Sequence, residues 1–219
     1  MNDNDWQKKW QTNDIGFNQS KPNALMTRYF GSLHLKQGSL VFVPLCGKSV
    51  DMLWLAEQGY LVIGVELSTI ACTAFFEEHR LPATVTQSEY FTSYQSDQIT
   101  LIAGDYFNLT PTIVGEIDAV FDRAALVALP PPLRQRYVKL LTQLCQSKTS
   151  IFLISFSYDQ SAMQGPPFSV DQSQVNALYS ADFNIQLLHD KPIQQISPHL
   201  QVKGLSAASE QVYCLRPKS

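Results

Sequence analysis

The sequence predicts an α/β sandwich around a mostly parallel sheet with helices on both faces. Residues 40–66 show it most directly. The apolar run Leu40-Val41-Phe42-Val43 enters a turn at Leu45-Cys46-Gly47, a helical stretch follows, and a second apolar run ends in Glu66. Strand, turn, helix and strand form the repeating unit of parallel sheets. Beyond it, short apolar runs alternate with helix-like stretches to the end of the chain. With 219 residues, 45% hydrophobic and 16% charged, the chain can bury one sizeable core, so a single domain over 1–219 is expected.

The elements follow in order. Residues 1–35 are mostly polar but carry Trp6, Trp10 and Phe17, aromatic rings that need a surface to bury them. They either pack plainly on the domain or form a lid whose rings face a cation. After Glu66, residues 69–79 place Ile70, Ala71, Ala74 and Phe75 on one helical stripe, with Glu77 and Glu78 at its end. Residues 88–98 are polar and read as a long connection. Residues 99–103 form a strand that runs into Gly104-Asp105-Tyr106-Phe107, and residues 117–121 form another before Asp122-Arg123. The run Pro130-Pro131-Pro132 opens a helix, since proline suits a first turn, with Leu133, Tyr137, Leu140, Leu141 and Leu144 at helical spacing. Residues 151–157 are a fifth strand and 175–179 a short helix, and 183–189 with 211–215 close the sheet as a final pair.

Composition narrows the partners. A net charge of -3 without a Lys or Arg cluster leaves no electrostatic footprint for nucleic acid or an anionic membrane. The start, Met-Asn-Asp-Asn-Asp-Trp, is neither basic nor apolar, and no run approaches ~18 apolar residues. A cytoplasmic protein acting on small molecules, with no membrane partner, is expected. Cys46, Cys72, Cys145 and Cys214 lie far apart, with no Cys-x-x-Cys, so they read as reduced thiols and no metal site is expected. Cys46 sits in the glycine turn, where its thiol should be reachable.

The turn itself points to a ligand. A carboxylate at the tip of the second strand is where a Rossmann-like fold needs an acceptor for ribose hydroxyls. Dinucleotide binding would call for Gly-x-Gly-x-x-Gly, yet this turn has Gly47 alone. A P-loop would need a glycine where Phe42 stands. A nucleoside without phosphates remains, of which S-adenosylmethionine is the common example; the plain alternative is a βαβ unit in which Glu66 only caps a strand. In open α/β sheets ligands bind beyond the carboxyl ends of the strands. Four such ends carry unusual residues: Leu45-Cys46-Gly47, Glu66, Gly104-Asp105-Tyr106 and Asp122-Arg123. Asp105 and Tyr106 would suit an adenine, Asp105 reading equally as a turn former. Arg123, at the end of an apolar strand, needs an anionic partner: Asp118, Asp122 or a ligand carboxylate.

Several motifs together resemble the bacterial thiopurine S-methyltransferases over essentially the whole chain. They are Trp6 and Trp10 followed by Phe17, Pro44-Leu45-Cys46-Gly47-Lys48, Gly64-Val65-Glu66, Phe107 with Leu109, Asp122-Arg123-Ala124-Ala125-Leu126-Val127-Ala128, Ser157-Tyr158-Asp159 and Gly165-Pro166-Pro167-Phe168. The resemblance implies a class I S-adenosylmethionine-dependent methyltransferase fold, with a mostly parallel seven-stranded sheet. It also implies methyl transfer to the sulfur of thiopurines and other aromatic or heterocyclic thiols. Trp10, Leu45, Glu66 and Arg123 are thereby expected to contact the cofactor, with Phe17, Gly47, Asp105 and Tyr106 contributing nearby. Phe168, in a stiff loop after the fifth strand, is expected to wall the acceptor pocket with Phe17. His199 is the nearest candidate for a cationic substrate-side residue found in animal members.

The chemistry asks little more. A methyl sulfonium is a strong electrophile, so displacement by sulfur needs alignment and a dry pocket rather than a covalent nucleophile. Arg123 cannot act as a base because it does not deprotonate; as the catalytic candidate it either pairs with the cofactor carboxylate or favours an anionic acceptor. Two other readings stay open: methylation of selenium or tellurium compounds, and a nucleoside-binding sensor without turnover. A monomer is expected.

Overall fold

The computed structural model describes residues 3–218. Met1 and Asn2, at the start of the polar N-terminal segment, and Ser219 lie outside the described residues. The elements run α1 (Asp3–Gln11), α2 (Ala24–Tyr29), β1 (Leu40–Val43), α3 (Asp51–Glu57), β2 (Leu61–Glu66), α4 (Thr69–Glu78), β3 (Thr84–Gln87), β4 (Thr92–Gln95), β5 (Ile99–Ala103), α5 (Pro111–Val114), β6 (Ala119–Arg123), α6 (Pro131–Leu144), β7 (Ser150–Ser157), α7 (Gln172–Tyr179), β8 (Phe183–Pro192), α8 (Pro198–Val202) and β9 (Ser209–Pro217).

One sheet gathers nine strands in the order β3-β4-β5-β2-β1-β6-β7-β9-β8. The central five, β5 to β7 in that order, are parallel, and β9 joins antiparallel to β7. Strand alternation divides the interior. Val41, Val62, Leu101, Phe121, Phe152 and Cys214 point to the layer of α2, α3 and α4. Phe42, Val65, Ile102, Val120, Leu153 and Tyr213 point to the layer of α6 and α7. A strand buried on both faces reads as a continuous apolar run, which is why β1, β2 and β7 were visible in the sequence.

Three expectations need correction. The sheet has nine strands rather than seven, because residues 84–95 add the hairpin β3–β4 at the β5 edge, where residues 88–98 read as a connection. Its strands are polar and its β3 residues exposed, so no apolar alternation announces them. In α4 the buried stripe is Ala71, Cys72, Phe75 and Phe76, while Ile70 is 44% exposed. In α6 the core face is Arg134, Tyr137, Val138, Leu141 and Leu144, with Leu133 and Leu140 only packed against it. No described helix is long and apolar enough to cross a membrane.

Candidate active site

The strand order sets the tips of β5, β2, β1 and β6 side by side, so the four marked ends form one row. Between β1 and α3 the chain turns on two left-handed residues, Leu45 (φ 47°) and Gly47 (φ 55°). For leucine that conformation is disfavoured by its Cβ and is held by the surrounding contacts. The turn is tied to β2 by the Cys46 N–H, which donates to the Val65 carbonyl at 2.9 Å.

Glu66 is the hub of this row. Its Oε2 accepts from the Gly47 N–H and its Oε1 from the Ser68 N–H, each at 2.9 Å. The carboxylate is 7% exposed. Burial raises its pKa, opposed by the hydrogen bonds from Ser68, Gly47, Leu67 and the Trp10 side chain. Glu66 therefore does more than cap a strand: it joins β2, the glycine turn and the N-terminal segment. Trp10 is buried, and its indole lies 3.2 Å from where a Cβ would stand on Gly47. Both Trp6 and Trp10 meet the Phe17 ring edge-on, at centroid distances of 5.6 Å. Gln7 Nε2 donates to the Leu67 carbonyl at 3.0 Å, so α1 is fastened across the turn by polar and aromatic contacts alike.

Arg123 pairs with neither Asp118 nor Asp122 but with Asp51, on α3. Its Nε donates to Asp51 Oδ2 at 2.9 Å and a terminal nitrogen to Ser49 Oγ at 3.3 Å. Asp51, 1% exposed, also accepts from the Asn23 N–H at 2.7 Å, linking α3 to the cap of α2. An acid in the first turn after a glycine loop is a helix-start signal, and that was the available clue. Asp118 is instead engaged by the Leu40 N–H and Lys148.

Asp122 lies inside. Its Oδ2 accepts from the Tyr137 hydroxyl at 2.7 Å and its Oδ1 from the Leu126 N–H at 3.2 Å, holding the turn in which Ala124 takes φ 74°. Burial pushes its pKa from 3.8 up to about 6. Between those values the native state binds a proton that the unfolded chain does not. The cost of burying the charge is thus present in full above about pH 6 and fades as the pH falls towards 3.8. Relative to Asp122→Asn, the wild type should gain about 1 kcal/mol of stability between pH 7 and pH 5 in urea unfolding. Parallel curves for the two proteins would show that Asp122 titrates normally.

Asp105 Oδ1 accepts from the Phe107 N–H at 2.8 Å, the turn-forming role. Tyr106 corrects its expected role: it is 3% exposed, donates to the Tyr137 carbonyl at 3.2 Å and packs on the Tyr137 ring at 4.9 Å. Its phenol belongs to the core, so only its backbone lies at the strand tip. Cys46 is likewise corrected, being 7% exposed with burial pushing its thiol pKa well up. Among the described residues no group of His, Cys, Asp and Glu could hold a metal ion.

Chain neighbours of Phe17 and Phe168 reach α8 and the residue after it. A Cβ on Gly16, next to Phe17, would stand 2.9 Å from the His199 ring. Lys203 Nζ donates to the Pro166 carbonyl at 3.2 Å, in the loop that carries Phe168. The Phe168 N–H donates to the Val127 carbonyl at 2.7 Å, and Tyr158 Oη donates to the Pro167 carbonyl at 2.7 Å. The strap with Phe17 and the loop with Phe168 are thus both braced against residues of the C-terminal segment.

A central parallel sheet closed by an antiparallel β9, a glycine turn after β1 and a buried acid at the tip of β2 define the class I methyltransferase fold. Solved structures share that fold. The chain is similar to an S-adenosylmethionine-dependent methyltransferase from Anabaena variabilis (TM-score 0.68, 12% identity, 100% of this chain and 96% of that one). It is also similar to the 1,6-didemethyltoxoflavin N1-methyltransferase of Burkholderia thailandensis (TM-score 0.65, 16% identity, 99% and 87%), solved with bound 1,6-didemethyltoxoflavin and S-adenosylhomocysteine. The family model for thiopurine S-methyltransferase matches residues 1–218, and the chain belongs to that family. Thiopurine S-methyltransferases of Nitrosospira multiformis and Pseudomonas entomophila are 40% and 42% identical over 214 and 210 residues. These alignments span 98% and 96% of this chain and 97% of each relative.

Proposed function

We propose that the chain transfers a methyl group from S-adenosylmethionine to the sulfur of thiopurines and other aromatic or heterocyclic thiols. Full-length membership of the thiopurine S-methyltransferase family carries the reading. The row of strand tips supports the cofactor. Glu66 presents a buried carboxylate to ribose hydroxyls, the left-handed turn at Leu45 and Gly47 brings backbone close, and Trp10 covers that turn. Asp105 and Tyr106 contribute through their backbone. When bound, S-adenosylmethionine supplies an electrophilic methyl: its sulfonium C–S bond breaks as a new C–S bond forms on the acceptor sulfur, leaving S-adenosylhomocysteine and, from a neutral thiol, a proton.

The residues then have separable tasks. Arg123, held by Asp51 and Ser49, faces the cofactor carboxylate or the acceptor anion as a fixed charge. Trp6, Trp10 and Phe17 exclude water and present ring faces to a cation. Phe17 and Phe168 confine a flat acceptor. The protein acts as a cytoplasmic monomer on this reading.

Mass-spectrometric detection of S-adenosylhomocysteine tests it, with mercaptopurine, thiophenols, selenite, tellurite and a control without acceptor. Acceptor-dependent product with the aromatic thiols is expected. Turnover confined to selenite or tellurite would replace the sulfur acceptor, and cofactor binding without any turnover would favour a sensor.

A further inference from the structure

Arg134 is a buried cation to which the cofactor site gives no task. It stands in the first turns of α6, 3% exposed, on the same face as Tyr137, Val138 and Leu141. Its Nε donates to the Leu129 carbonyl at 2.8 Å and Nη1 to Gln174 Oε1 at 3.2 Å, both neutral acceptors. Its Nη2 is buried without a hydrogen-bond partner, and among the described residues no carboxylate forms a salt bridge with it. A guanidinium taken out of water without a counter-ion is expensive, and its field in such surroundings is weakly screened.

The charge lies behind the acceptor wall. The guanidinium carbon is 5.8 Å from the centroid of Phe168, over the ring. The Tyr158 hydroxyl donates to the carbonyl of Pro167, next to Phe168, at 2.7 Å. On the same loop Lys203 holds the Pro166 carbonyl, with Lys9, Asp14 and His199 close to it. Cations therefore brace the loop at both Pro166 and Phe168, while Asp14 is the acid among these groups.

We propose that Arg134 makes the Phe168 wall electropositive and so favours the anionic, thiolate form of the acceptor, a specificity-determining role for acidic aromatic thiols. It acts through the Phe168 ring rather than by contact, as a positioning residue. The inference rests on the methyltransferase reading above.

A binding titration tests it without turnover. 4-Nitrothiophenol, whose thiol and thiolate absorb at different wavelengths, is bound to protein saturated with S-adenosylhomocysteine, and the bound thiol is titrated with pH. In the wild type its apparent pKa should lie about one unit below that of the free compound, a tenfold bias towards thiolate. Arg134→Gln should reduce the bias to what Arg123 supplies and move the acid limb of the kcat profile upward, whereas Arg134→Lys should retain most of it. An unshifted pKa in the wild type would overturn the inference, and that measurement needs no variant to fold. So would equal shifts in wild type and Arg134→Gln. A wild type that binds no thiol at all would instead overturn the functional reading, and this inference with it.

Discussion

Replacing Arg123 with alanine is expected to abolish most methyl transfer and to destabilise the fold in one step. The stability loss comes from Asp51. Without the guanidinium, a carboxylate that is 1% exposed keeps the Asn23 N–H but loses its counter-charge. Breaking a buried pair from one side costs about 3–5 kcal/mol. For a chain of this length that is roughly 10 °C in melting temperature. The activity loss is separate: removing a fixed charge from the reaction site should lower kcat/KM at least about a hundredfold. Arg123→Lys keeps the charge but cannot span Asp51 and Ser49 with a planar fork, so it should fall between wild type and alanine. The double variant Arg123→Ala with Asp51→Ala distinguishes the two effects. It should recover much of the melting temperature and none of the activity. Recovery of turnover would show that Arg123 serves only to neutralise Asp51.

Glu66→Gln should weaken S-adenosylhomocysteine binding about a hundredfold by calorimetry, since each hydrogen bond from ribose to a charged acceptor is worth about 1.5–3 kcal/mol. The amide also offers one acceptor oxygen where the carboxylate offers two. One of the Gly47 and Ser68 N–H groups, both at 2.9 Å from Glu66, then faces an NH2. The orphaned donor should cost a further 1–3 kcal/mol or so of stability. The pH dependence has a definite sign. Ribose binding uses the ionised form, and burial raises the Glu66 pKa above its usual 4.5, so wild-type affinity should fall on acidification at a higher pH than an ordinary glutamate would give. Wild-type affinity in Glu66→Gln would place the ribose acceptor elsewhere.

Much of this site could be read before any tertiary structure. Gly47 and Glu66 were marked by turn chemistry and by a charge ending an apolar run, and their hydrogen bond joins them directly. Arg123 was marked by the same logic, but its partner was not. The side that Tyr106 faces is not legible locally, because a tyrosine after a strand can face the crevice or the core, and only the position of α6 sends it to Tyr137. The burial of Arg134 is legible in the sequence, where it stands in helical phase with Tyr137, Val138 and Leu141.

The apolar strands of the central sheet, the turn after β1 and the acid that follows it were determined by the sequence alone, because apolar period and φ preference are properties of neighbouring residues; the polar hairpin β3–β4 was not. Which acid would face Arg123 was decided only by the tertiary structure. Asp51 is 72 residues away along the chain, yet Ser49 and Asp51 follow the turn at the tip of β1, the strand paired with β6. Asp122, although adjacent in sequence, alternates to the opposite face of the sheet and meets Tyr137. Strand order, which no local pattern encodes, acts with side-chain alternation to set the charge at the centre of this site.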